Sequence, residues 1–139
     1  IMHSISTPKL MQKKISYRNV LIDIYDFLEK KINQCEKNNI DRSRIIIDPG
    51  IGFGKNLKQN LNLIKNISLF HSLGVSILLG SSRKTFISKI SKNALENERL
   101  GGSISSVIYA LNQGVQIFRV HDVIETKQAL DVYNKIKRA

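Results

Sequence analysis

The chain has 139 residues, 42% hydrophobic and 24% charged, enough for one ordinary domain with its own core and too apolar for a disordered segment. Its longest apolar run, Val75 to Leu79, is far too short to cross a bilayer, and no signal-peptide pattern stands at the start. The net charge of +11 comes from 22 basic residues spread along the whole chain, with no arginine-rich stripe and no interleaved aromatics; it suits attraction of small anions, and nucleic acid is not the expected partner.

Ile1-Met2 reads as a strand cut by the start of the sequence, so a piece of a longer protein is expected. From Val20 to Cys35, the apolar residues Leu21, Ile24, Tyr25, Leu28, Ile32 and Cys35 repeat with helical period. Cys35 is the one cysteine; it cannot form an internal disulfide, which fits a reducing, cytoplasmic setting, and its place on this face points to packing. Arg44 to Ile47 is β-branched and strand-like. Leu57, Leu61, Ile64 and Ile67 predict a second helix, closed by Gly74 in a left-handed cap. Val75 to Leu79 is the next strand, and a short helix is expected from just after Ser82 to about Ile90. Leu100, Ile104, Val107, Ile108 and Leu111 form a further helical face, ended by Gly114. Val115 to Val120 is the last strand, and Leu130, Tyr133 and Ile136 mark the last helix.

Strands alternating with helices imply parallel strands joined by helical crossovers. The continuous runs Ile45-Ile46-Ile47 and Ile77-Leu78-Leu79 predict strands covered on both faces. No linker or second domain is visible, so residues 1–139 are read as a single, incomplete domain. The chemistry-bearing residues all follow strands: Met2-His3, Asp48 to Lys55, Gly80 to Thr85 and Arg119 to Asp122. Both a (β/α)8 barrel and a doubly wound sheet bind ligands at such ends, so position alone leaves the two open.

Asp48-Pro49-Gly50-Ile51-Gly52-Phe53-Gly54-Lys55 lets the backbone turn tightly and approach a ligand, yet it meets neither the dinucleotide nor the Walker spacing. Asp48 can accept two N–H groups of a flat heterocycle, and a loop-capping Asp fits the run equally well. Ser82-Arg83-Lys84-Thr85 can cap a helix and aim cations, a hydroxyl and free N–H groups at one anion; an ordinary capped helix with solvated cations fits as well. Arg119 and His121 alternate along a strand end and point to one side, which suits a phosphate-bearing ligand. His3 is open between a structural and a site-lining role, and His71 reads as a surface or packing residue. No Cys/His set for zinc and no hydrolase elbow is present.

Taken together, Met2-His3 with Thr7-Pro8 and Met11-Gln12, the Asp48 to Lys55 run, Gly80 with Ser82 to Ile87, Glu98 to Ser103, and Arg119 to Val123 resemble dihydropteroate synthase in order and spacing over the whole chain. Ser4-Ile5-Ser6 departs from that pattern, which has Met and then Gly in these places. The resemblance implies an α/β fold, a (β/α)8 TIM barrel of which this chain supplies about the last four βα units. It implies a transferase that joins 6-hydroxymethyl-7,8-dihydropterin pyrophosphate to p-aminobenzoate, giving 7,8-dihydropteroate and pyrophosphate in folate biosynthesis. Asp48 and Lys84 would hold the pterin, with Met2 and Gly80 beside it. Phe53 and Lys84 would flank the p-aminobenzoate ring, and Thr85 would receive its carboxylate. Arg119 and His121 would bind the pyrophosphate, so Lys84, Arg119 and His121 are the expected catalytic residues. The family implies Mg²⁺, with its main protein ligand outside this chain, a homodimer of the complete enzyme, and no membrane. A pterin-binding methyltransferase domain and a non-catalytic basic binding module are the competing readings; the Ser82-Arg83-Lys84 and Arg119/His121 sets favour the synthase over the first.

Overall fold

A computed structural model describes residues 1–4 and 17–139. The motif residues Thr7, Pro8, Met11 and Gln12, and Ile5-Ser6 of the departing loop, lie outside the described residues. Three strands, β1 (Ile46–Ile47), β2 (Ser76–Leu79) and β3 (Ile117–Phe118), pair in parallel in that order. Ile47 stands opposite Ile77, and Leu79 opposite Phe118. Met2 adds a parallel bridge to Asp48: the His3 N–H donates to the Asp48 carbonyl at 2.9 Å, and the Asp48 N–H to the Ile1 carbonyl at 2.8 Å. Four parallel segments therefore lie side by side, and their carboxyl ends share one rim.

Among the described residues five α-helices accompany the strands: α1 (Val20–Lys37), α2 (Leu57–Lys65), α3 (Thr85–Ile90), α4 (Leu100–Asn112) and α5 (Val123–Arg138). Helix α1 starts where the Asn19 side chain accepts the N–H groups of Leu21 and Ile22, and its buried stripe is Val20, Ile24, Leu28 and Ile32 at four-residue spacing. That stripe joins Ile47, Ile77 and Leu79 of the sheet, Leu63 and Ile64 of α2, and Phe70 in one core.

The helix expected from Leu57 stops at Lys65 and gives way to a 3-10 segment, Ile67–Leu73. The Asn66 side chain donates to the Asn62 carbonyl, competing with the helix ladder. Beyond it the buried residues Ile67, Phe70 and Leu73 recur every third position, the repeat of a 3-10 helix. Gly74 closes the segment at φ +69°, the left-handed cap its position suggested.

In this segment Ile46 is 40% exposed while Ile45 and Ile47 are buried. The core cluster gathers on the face that carries Ile47, Ile77 and Leu79. Ile46 and Leu78 alternate to the other face, where no helix of the described residues packs. Cys35 is half-buried against the core, as its helical position indicated.

Candidate functional site at the carboxyl rim of the strands

Asp48 leaves β1 at the rim and is 7% exposed. One carboxylate oxygen accepts the Gly50 N–H at 2.7 Å, and the other lies 3.4 Å from an Arg119 guanidinium nitrogen. Burial raises its pKa above the usual carboxylate value, against the pull of the Gly50 N–H and of Arg119, Lys84 and Lys55. Asp48 therefore caps its own loop with one oxygen, as the loop-capping reading has it, and turns the other toward Arg119 at the rim. The loop needs glycine at Gly50, where φ is +73° and a β-carbon would run into the His3 carbonyl.

Lys84 comes from the next loop. Its ammonium donates to the Ile51 carbonyl and sits 3.9 Å from the centroid of the Phe53 ring, a cation–π contact. Burial lowers its pKa to about 8; the Asp48 carboxylate raises it and Arg119 lowers it. Gly52, at φ +83°, leaves room for the Lys84 stem, since a β-carbon there would stand 2.9 Å from Lys84 Cδ. Arg119 follows β3, anchored by its N–H to the Leu79 carbonyl at 3.0 Å. Its guanidinium passes over Gly80, where a β-carbon would meet it at 2.9 Å. Gly80, Ser82, Lys84, Arg119, Val120 and His121 enclose a small pocket of about 120 Å³. Met2 is bridged to Asp48 at one side of this rim, and Phe53 rises from the glycine loop.

The Ser82 to Thr85 stretch differs from expectation. Helix α3 begins at Thr85, and Lys84 is its N-cap without a side-chain cap bond. Arg83 adopts φ +55° and turns to an ion pair with Asp122, its Nε donating at 3.1 Å. Its own backbone is pinned twice: its N–H donates to Ser103 Oγ at 2.8 Å, and its carbonyl accepts from Arg99 at 2.8 Å. Ser82 Oγ is engaged with His121. Only Lys84 of the expected pair of cations reaches the rim site, and Thr85 is exposed at the helix start. The Glu98 to Ser103 motif thus acts as the support of this loop, and Gly102 belongs to it because a β-carbon there would collide with Ile87.

Lys55 was missed as a functional candidate. Its buried ammonium donates to the carbonyls of Gly50 at 2.8 Å and Phe53 at 3.0 Å, and faces His3 Nδ1 at 3.1 Å. Burial lowers Lys55 to about 7, with Lys84 adding to the fall and Asp48 opposing it. His3 is lowered to about 4 by burial and then by Lys55. A neutral His3 leaves Nδ1 as acceptor, packed edge-on against Phe27 at 4.9 Å, so His3 is structural. His71 is likewise a packing residue, 2.8 Å from the Gln113 carbonyl. A larger apolar cleft of about 430 Å³ lies between α2, α3 and α4 and includes none of the rim residues. Among the described residues no three His, Cys, Asp or Glu side chains come together in a way that could hold a metal. No described helix is long and apolar enough to cross a membrane.

Comparison with known proteins defines the class. Residues 1–121 match the model of the pterin binding enzyme family, and the chain belongs to that family. It is 38% identical over 132 residues to the dihydropteroate synthase of Escherichia coli K12, covering 95% of this chain and 46% of that protein. The Yersinia pestis dihydropteroate synthase, solved in a sulfonamide drug complex, superposes with TM-score 0.93 at 35% identity, over 99% of this chain and 50% of that one. The Xanthomonas albilineans dihydropteroate synthase in complex with 7,8-dihydropteroate gives TM-score 0.89 at 33% identity, over 99% and 50%. The chain thus spans about half the length of the relatives it matches. The α/β architecture is that of a TIM barrel, to which this segment contributes parallel strands and their crossover helices.

Proposed function

We propose that this chain is the carboxyl-terminal half of a dihydropteroate synthase, which alkylates p-aminobenzoate with the pterinylmethyl group of 6-hydroxymethyl-7,8-dihydropterin pyrophosphate. The observation that carries the reading is the buried Asp48 carboxylate on one rim with Arg119 and with Lys84, the latter stacked on Phe53. Asp48 accepts pterin N–H groups in place of the weak Arg119 contact, and Lys84 donates to the pterin ring, with Met2 and Gly80 beside it. Phe53 and the Lys84 stem flank the aromatic amine, whose carboxylate lies toward exposed Thr85 and the start of α3. Arg119 and His121 bind the pyrophosphate from the small pocket.

In the reaction the bond between the pterin CH₂ and the pyrophosphate oxygen breaks, and its electron pair leaves with pyrophosphate. The aniline nitrogen forms the new bond to the CH₂ and then loses a proton to solvent. The protein's share is positioning and stabilisation of the charge that develops on the leaving group, by Lys84, Arg119 and His121. Mg²⁺ belongs to the proposal as a charge-neutralising partner of the pyrophosphate, with its principal protein ligand outside this segment. A homodimer of the complete enzyme and a cytoplasmic location are also proposed. The dimer is supported by the apolar groove between α4 and α5 that Ile104, Ile108, Val132 and Ile136 line.

The test is incorporation of labelled p-aminobenzoate into dihydropteroate by the full-length protein, with the pterin pyrophosphate varied. Absence of product from folded, pterin-saturated protein rejects the synthase reading.

A further inference from the structure

Ser82 Oγ is buried, 4% exposed, and has two recorded partners, both on His121: the backbone N–H at 3.2 Å and ring Nδ1 at 3.0 Å. A serine hydroxyl has one proton and two lone pairs. The His121 N–H can only donate, so it occupies a lone pair. If Nδ1 also carried a proton, it would take the second lone pair and leave the hydroxyl proton with no protein acceptor among the described residues. Leaving a buried donor unpaired is costly. If Nδ1 is bare, it accepts the hydroxyl proton and every group is satisfied.

We propose that Ser82 is a positioning residue that holds neutral His121 as the Nε2–H tautomer, with Nδ1 turned inward and the Nε2–H aimed outward at the anion pocket. The backbone bond and the side-chain bond fall on one oxygen, so Ser82 fixes both the place of His121 and the direction in which its ring donates. His121 shares the pocket with Lys84 and Arg119, and its outward N–H adds a directed neutral donor to two cations. The ligand class is a pyrophosphate or similar oxyanion. That last step rests on the synthase reading; the tautomer does not.

The test is long-range ¹H–¹⁵N correlation of the His121 ring in the full-length protein, at a pH where the ring is neutral. The expected result is a pyridine-like Nδ1 and a pyrrole-like Nε2, and in Ser82→Ala a shift of both nitrogens toward a mixture of tautomers. A wild-type ring with its proton on Nδ1, or a Ser82→Ala ring unchanged from wild type, overturns the proposal. Titration with inorganic pyrophosphate gives a second readout. Ser82→Ala is expected to raise Kd about three- to tenfold, the size of one directed hydrogen bond. His121→Gln, whose amide nitrogen reaches the Nε2 position, is expected to bind more tightly than His121→Asn, whose amide matches Nδ1; the reverse order overturns the proposal. Wild-type protein that shows the expected tautomer and binds no pyrophosphate supports the Ser82 role and counts against the synthase reading.

Discussion

The Lys55 ammonium lies 3.1 Å from His3 Nδ1, two side chains 52 residues apart meeting beneath the glycine loop. The contact ties the end of the first parallel segment to the loop that carries Asp48 and Phe53. It also makes His3 a source of acid sensitivity. Its pKa falls from 6.5 to about 4 on folding, so the unfolded chain binds more protons between these values. Stability contributed by neutral His3 is therefore complete above about pH 6.5 and is lost as pH falls toward 4, on the order of 3 kcal/mol in all. The raised pKa of Asp48 acts with the opposite sign from 3.8 upward and is present in wild type and variant alike. His3→Asn keeps an acceptor for Lys55 and cannot titrate. In urea melts of the full-length protein it is expected to lose less stability than wild type between pH 7 and pH 4.5; equal losses would remove His3 from the account.

Asp48 and Lys84 are expected to govern pterin binding. Asp48→Asn exchanges an acceptor for a donor and leaves a ligand N–H unpaired, costing about 1.5–3 kcal/mol, or roughly ten- to a hundredfold in kcat/KM for the pterin pyrophosphate. Lys84→Ala is expected to weaken both substrates, because one stem serves both. Asn56→Ala is the control: Asn56 caps α2 in a capping box with Gln59, so it should lose about 1 kcal/mol of stability while kcat/KM holds. Unchanged kinetics in Asp48→Asn would make the glycine loop merely structural.

The alkaline side of the pH profile tests Lys84 separately. With a pKa of about 8, its ammonium is lost as pH rises through that value, and kcat/KM for the pterin pyrophosphate is expected to fall there. Lys84→Arg keeps the charge at all these pH values, so the limb should vanish even if the overall rate is lower. A limb that persists in Lys84→Arg belongs to another group.

Gly80→Ala separates placement of Arg119 from folding. Gly80 does not occupy a positive-φ position, so alanine brings no backbone strain, but its β-carbon would come within 2.9 Å of the Arg119 guanidinium. Arg119 is a long, exposed side chain and can yield. Thermal stability is expected to stay within about 0.5 kcal/mol of wild type while kcat/KM drops severalfold. A loss of Tm without a kinetic effect would show that the glycine serves packing alone.

The 139-residue chain expressed by itself is expected to be marginal or to self-associate. Met2 and Ile46 are 38% and 40% exposed on or beside the sheet, and the outer edges of the Met2 segment and of β3 have no partner strand among the described residues. Closing a barrel removes such edges. A monomeric, cooperatively melting species in sedimentation and thermal scans would contradict this.

By itself, the sequence determined the order of parallel strands and helices, because the 3.6-residue faces of α1 and α4 and the β-branched runs are local patterns. It also placed Asp48, Lys84, Arg119 and His121 on one rim, because parallel strands put all their carboxyl ends on the same side. Tertiary structure decided the direction of each side chain there. Arg83 and Lys84 are neighbours in a stretch that reads as one cationic helix start, yet Arg83 leaves for Asp122, 39 positions on, while Lys84 crosses to Phe53. The buried Lys55 network and the Ser82–His121 pair share that origin. Each depends on what packs against a residue from far along the chain, and burial and hydrogen-bond partners of that kind leave no mark in the local spacing of residue types.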